Sequence, residues 1–183
     1  DLHSFPTRRS SDLKAENISI NFHLAEKDVI VTIRDDGYGM DEQTLIKAMR
    51  PASSHPDEQR ASDDLGRFGW GLKSASLSQA RVMSVISWQN KNTAAAIWDI
   101  DDIDDWSMGY FIGEDAQKLL IEPANTPSGT EVIWRKTDRL VQDIGHELFH
   151  ESLTQVVAQA RDQLSLIYHR YLSGQGGNAV SIS

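Results

Sequence analysis

Two glycine-bearing stretches carry most of the chemistry this sequence offers: D-D-G-Y-G-M at Asp35–Met40 and G-R-F-G-W-G-L-K-S-A-S at Gly66–Ser76. In the second, Gly66, Gly69 and Gly71 fall within six residues, just ahead of an apolar-periodic segment. Open backbone N–H groups and a helix start would there point together at an anion. The amides from Phe68 to Leu72, Trp70 among them and Arg67 alongside, would cap phosphates, and Lys73 would add a full charge. In the first stretch a carboxylate such as Asp35 can accept a hydrogen bond from the exocyclic amine of adenine, where guanine presents an acceptor. That would select ATP over GTP. Gly37 and Gly39 permit positive φ and remove a Cβ that would collide with a flat base, and Met40 would pack on the ring.

Taken singly, each stretch has a plainer reading: Asp-Gly is usually a turn, and a glycine cluster usually a loop. Their order and the elements around them argue for a nucleotide site. Val29–Ile33 is a β-branched run that reads as a buried strand and leaves Asp35 at its end. Asp41–Met49 reads as a helix with acids in its first turn, stopped by Pro51. Ala52–Asp64 is polar, contains Pro56, and has the composition of a mobile loop. The remaining strands are expected at Ile18–Phe22, Val29–Arg34, Arg81–Trp88, Ala94–Asp99 and Thr130–Arg135, with helices near Glu42–Met49, Leu72–Gln79 and Ala116–Ile121. From Asp143 to about Leu172 runs a long helical pattern, with Phe149, Leu153, Val157, Ala160, Leu164, Ile167 and Tyr171 on one stripe. Gly174–Gly177 then turns the chain toward a strand at Ala179–Ile182.

Composition narrows the functional classes. At 183 residues and 39% hydrophobic content with no long apolar run, the chain is expected to be one soluble domain, with the beginning of a second and no membrane segment. The net charge of −9 argues against broad electrostatic binding to nucleic acid. With no Cys, disulfides and Cys-ligated metal are excluded, and a cytoplasmic location is expected. The acidic run Asp99–Asp105 reads as a solvated strand end and turn.

The ordered motifs resemble the GHKL superfamily of ATP-binding domains, shared by a class of heat-shock chaperones, type II topoisomerases, mismatch-repair MutL proteins, sensor histidine kinases and MORC ATPases. Its D-x-G-x-G motif is met by Asp35, Gly37 and Gly39, and its G-x-x-G-x-G motif followed by Lys by Gly66, Gly69, Gly71 and Lys73. A third element, Gly-Thr before a strand, is met by Gly129 and Thr130. The second motif, with W-D-I-D at Trp98–Asp101, looks most like bacterial MORC-like members, and the resemblance runs roughly from Lys14 to the C-terminus. It implies an α+β fold, a two-layer α/β sandwich whose mixed sheet carries helices on one face. It also implies ATP as ligand, Mg²⁺ in the intact parent, and an ATP-dependent homodimer. A lid would span Ala52–Asp64, with Ser53, Ser54 and Arg60 as contacts on closure. The ligand set is Asp35, Gly37, Gly39, Met40, Gly66–Lys73 and Thr130.

Ser4–Leu13 reads like a translated sequencing adapter, so residues 1–13 are expected to be non-native, the alternative being a genuine disordered N-terminus. Residues 14–142 would form the ATP-binding domain without its first helix, and 143–183 a connecting helix and the start of a transducer-like domain. In the family, that first helix supplies the water-activating Glu and a Mg²⁺-holding Asn; Glu16 and Asn17 fall in a strand and match neither. The expectation is therefore an ATP-binding domain of an ATPase coupling nucleotide state to conformational change, with residues 1–183 deficient in hydrolysis. A nucleotide sensor without turnover is the alternative. Kinase activity would need a phospho-accepting helix that the sequence does not show. A remote rival is H-E-x-x-H at His146–His150, a zinc-protease signature with Glu147 as base. Leu153 and Val156 stand where the metzincin continuation needs Gly and His, which favours ordinary helix histidines.

Overall fold

The computed structural model describes residues 15–25, 28–50, 71–90, 92–102, 108–137, 140, 146–167 and 181–182, the side chains of 146–150, 167 and 181–182 excepted. The β-branched run becomes the middle of β2 (Asp28–Asp35), which pairs antiparallel with β1 (Asn17–Ala25) along its length. Then come α1 (Glu42–Met49), α2 (Gly71–Gln79), β3 (Val82–Gln89), β4 (Asn92–Asp99) and β5 (Gly109–Ile112). The chain continues through α3 (Gly113–Gln117), β6 (Ser128–Arg135), α4 (His146–Ile167) and β7 (Ser181–Ile182). The sheet order is β5-β4-β3-β6-β2-β1-β7, antiparallel throughout except for the parallel β1–β7 pair, which makes it mixed. The residues first read as opening a second domain thus pair at the edge of this same sheet.

Alternation along the strands sorts side chains onto two faces. One face presents Val31, Ile33, Met83, Val85, Ala96, Val132 and Trp134 to Leu45 and Met49 of α1, with Leu72 and Leu77 of α2 and Leu153 of α4 packed against the same cluster. Leu45 is fully buried there, so its loss to Ala would cost about 2–5 kcal/mol. This is the α/β sandwich the motifs imply. The opposite face adds a smaller cluster in which Ile86, Ala95 and Ile133 meet Ala116 of α3, with Leu119, Leu120 and Ile121 beside them.

Three details depart from the sequence reading. The helix expected over Ala116–Ile121 begins earlier and ends at Gln117, because Leu119 and Leu120 turn through tighter bonds to Ala116 and Gln117 that lay their side chains on the sheet. The edge strand β5 was not anticipated: four residues with Phe111 and Ile112 exposed show no alternation to read. Gly129, expected ahead of the strand, lies within β6.

Both ends of α1 are tied. Asp41 caps its start by accepting from the Thr44 N–H at 2.7 Å. At its C-terminus Lys73 donates to the carbonyls of Ala48 (2.7 Å) and Arg50 (2.9 Å), and Trp98 Nε1 donates to that of Met49 (3.2 Å). A cation and an indole N–H thus satisfy carbonyls that a helix end leaves open. At the sheet end away from Asp35, Asp28 accepts from the Lys136 and Thr137 amides. Lys136 also bridges Asp99 and Asp101, and Arg81 joins Asp101. The first acids of the Asp99–Asp105 run are thus at least partly solvated and salt-linked, and pairs so placed are screened by water and add little to stability.

Candidate functional site

β2 ends in two adjacent carboxylates with opposite surroundings. Asp36 accepts from the Glu16 amide (2.8 Å), the Asn17 amide (2.9 Å) and the Asn17 side chain (2.7 Å), fastening the start of β1. Its partial burial pushes its carboxyl up, but the bonds from Asn17 and Glu16 outweigh this and hold it below the ordinary 3.8. Asp35 has no cation beside it among the described residues. Burial pushes its carboxyl up to about 6; the Gly37 and Thr130 amides pull the other way, and the charge of Asp36 adds to the rise. A desolvated carboxyl near neutrality, with no counter-ion among the described residues, is a mark of a ligand site.

The chain then crosses Gly37–Met40. Gly39 has φ +67°, and a Cβ there would fall on the carbonyl oxygen of Trp88 and within 3.0 Å of that of Gly129. The crowding that demands glycine is with the protein's own backbone, where a flat base had been expected. Gly37 does not have positive φ; its N–H donates to Asp35 Oδ1 at 3.0 Å. Met40 is buried in the core cluster, and its N–H donates to Ser87 Oγ at 2.7 Å. Tyr38, between the glycines, is exposed.

Register brings the third element to the first. Asp35 stands opposite Thr130, and Thr130 opposite Ser87, so the three share the helix-covered face at one end of the sheet. Thr130 is buried, with its Oγ1 2.9 Å from Ser87 Oγ. Gly129 is as constrained as Gly39: a Cβ would meet the Asp35 carbonyl oxygen and lie 2.6 Å from the Trp88 ring. Of the second motif, Gly71 and Leu72 open α2 and Lys73 is buried against the end of α1. Gly66, Arg67, Phe68, Gly69 and Trp70 lie outside the described residues, as do Ser53, Ser54, Arg60 and the segment Ser4–Leu13.

On the other face Trp88 donates Nε1 to the Thr126 carbonyl, and the Arg34 guanidinium lies 5.6 Å from its ring centroid. Arg34 pairs with the buried Glu131 at 2.9 Å and donates to the carbonyls of Glu122 and Pro123. Burial pushes the Glu131 carboxyl up, and the Arg34 charge and Ile121 amide only partly offset that. A half-open cavity of about 840 Å³, lined by Trp88, Gln117, Leu120, Ile121 and Pro123 among others, lies on this side and includes none of the sequence-predicted residues. Among the described residues no three His, Cys, Asp or Glu side chains gather as for a metal, and no helix is long and apolar enough to cross a membrane. His146 and His150 are helical, one turn apart, with side chains outside the described set.

Sequence reasoning missed Ser87, Gln89 and Ser128, which hold the Gly37–Met40 loop. A signal existed for the first. Ser87 is one of two buried serines in V-M-S-V-I-S-W-Q, and a hydroxyl there must find partners.

Compared with known families, residues 8–129 match a family model described as histidine kinase-, DNA gyrase B-, and HSP90-like ATPase. The matched span holds the first two motifs and ends at Gly129, one residue before Thr130. A comparison with curated proteins finds no match.

Proposed function

Since the chain belongs to the histidine kinase-, DNA gyrase B-, and HSP90-like ATPases, we propose that it binds an adenine nucleotide at the end of β2, Asp35 accepting the exocyclic amine. The observation that carries this is the pair of unlike carboxylates. Asp36 is consumed by Glu16 and Asn17, whereas Asp35 is half-buried, raised to about 6 and without a cation among the described residues. A ligand N–H there would stabilise the ionised form. A guanine carbonyl would face the carboxylate with like polarity, and a hydrogen bond to a charged group is worth about 1.5–3 kcal/mol, or roughly 10- to 150-fold in affinity.

The phosphates would lie toward the start of α2, among the amides of Gly66–Leu72. Lys73 donates to Ala48 and Arg50, and a phosphate within its reach would compete for that ammonium. Nucleotide binding would then be felt at the end of α1, a route for coupling ligand state to conformation. Mg²⁺ would come with the phosphates, and no described residue is assigned to it. No residue of this sequence is assigned to activate water, so binding with negligible turnover is the reading for residues 1–183. A MORC-like affiliation, an ATP-dependent homodimer, a cytoplasmic location and the division at residue 142 belong to the same proposal.

Titration with a fluorescent ATP analogue tests it. Asp35→Ala should lose most of the affinity while keeping the wild-type circular dichroism spectrum; an unchanged affinity overturns the assignment of Asp35.

A further inference from the structure

The loop that follows Asp35 is held by three side chains from two other strands. Ser128 Oγ donates to the Gly37 carbonyl at 2.8 Å, and Gln89 Nε2 to the Gly39 carbonyl at 3.1 Å. Ser87 Oγ accepts from the Met40 N–H at 2.7 Å, and bonds onward to the Gly129 carbonyl at 3.0 Å. Gln89 stands opposite Ser128 and Ser87 opposite Thr130 in the β3–β6 register, so the three form one patch at the sheet end. Gly37 is thereby fixed twice, its N–H on Asp35 Oδ1 and its carbonyl on Ser128.

We propose that Ser87, Gln89 and Ser128 are positioning residues for adenine selection: they hold the Gly37–Met40 backbone so that Asp35 is aimed before the base arrives. The inference rests on the adenine reading above. A segment with two glycines in four residues has wide conformational freedom, and freedom not removed in advance is lost on binding at the expense of affinity. Aim matters more for the base that depends on the carboxylate than for one that does not. Loosening the loop should therefore weaken ATP more than GTP.

One neutral hydrogen bond corresponds to about a 2- to 12-fold change in an equilibrium constant. The test is competition of ATP and of GTP against a fluorescent nucleotide, with thermal midpoints, for wild type, Ser87→Ala, Gln89→Met, Ser128→Ala and Ser128→Thr. Gln89 and Ser128 are only partly buried, so their variants serve even if Ser87→Ala does not fold. The expected result is ATP affinity lowered about 3- to 10-fold in Gln89→Met and Ser128→Ala, GTP affinity lowered less, and restoration by Ser128→Thr. A purely structural role would lower the thermal midpoint and leave the ATP-to-GTP ratio where it was. An unchanged ratio in a protein whose wild type prefers ATP overturns this inference alone. A wild type without preference overturns the adenine reading and this inference together.

Discussion

Asp35→Asn should make the protein more stable at neutral pH while weakening its nucleotide affinity. The Asp35 carboxyl is raised from 3.8 to about 6 in the folded chain, chiefly by burial. Below pH 3.8 the group is protonated in both folded and unfolded chains and costs nothing. As pH rises toward 6 the unfolded chain ionises first, so the native state binds more protons and stability falls. Above 6 the cost is complete. At about 1.36 kcal/mol for each pH unit, the displacement amounts to about 3 kcal/mol. Asn removes that charge and keeps an acceptor for the Gly37 N–H, but its amide hydrogens face the Thr130 N–H, so the net gain should be about 1–3 kcal/mol. For a domain of this size each kcal/mol moves the thermal midpoint by about 2–4 °C. Thermal denaturation of both proteins from pH 4 to pH 8 should show the midpoints converging at the acid end and Asn ahead at pH 7.5. A variant less stable than wild type at pH 7.5, or a difference independent of pH, would refute the assignment of a desolvated carboxylate with no counter-ion among the described residues.

Gly39→Ala combines positive φ with a Cβ on the Trp88 carbonyl, and should cost about 2–4 kcal/mol in denaturant unfolding; a loss below 1 kcal/mol would mean the loop has room that the structure does not show. Arg34→Met strands Glu131 in the interior and should cost about 3–5 kcal/mol at pH 8, less as pH falls and Glu131 takes up its proton. Adding Glu131→Gln should recover most of that loss, and failure to recover would assign the effect to the Arg34 contacts with Trp88, Glu122 and Pro123. Replacing His146 and His150 with Gln should leave metal content and nucleotide affinity unchanged; stoichiometric zinc lost in the double variant would revive the protease reading.

Most of the sheet was legible because its longer strands either alternate, as β1 does, or carry β-branched and apolar runs, as β2 and β4 do, and α1 because Asp41, the acidic first turn and Pro51 mark both its limits. The expected Glu42–Met49 is the observed helix. Short elements were less legible: β5, of four residues, was missed, and α3, of five, was expected three residues late, both being too short for a period to show. At the site, the position of Asp35 at a strand end followed from Val29–Ile33, but the contrast with Asp36 did not, since it depends on the return of Glu16 and Asn17 to the end of β2. Lys73 shows the same limit. Its type suggests phosphate, while its bonds to Ala48 and Arg50 follow from the packing of α2 against α1.

The central claim is that Asp35 reads adenine in its ionised form. Competition of ATP and GTP for the same site across pH 5–8, with Asp35→Asn as reference for the nucleotides' own titration, tests it most directly. ATP should bind at least about tenfold more tightly than GTP at pH 7.5, with affinity rising as pH passes about 6 and no such rise in the variant. Equal affinities for the two nucleotides, or an ATP affinity with the same pH profile in wild type and variant, would contradict it.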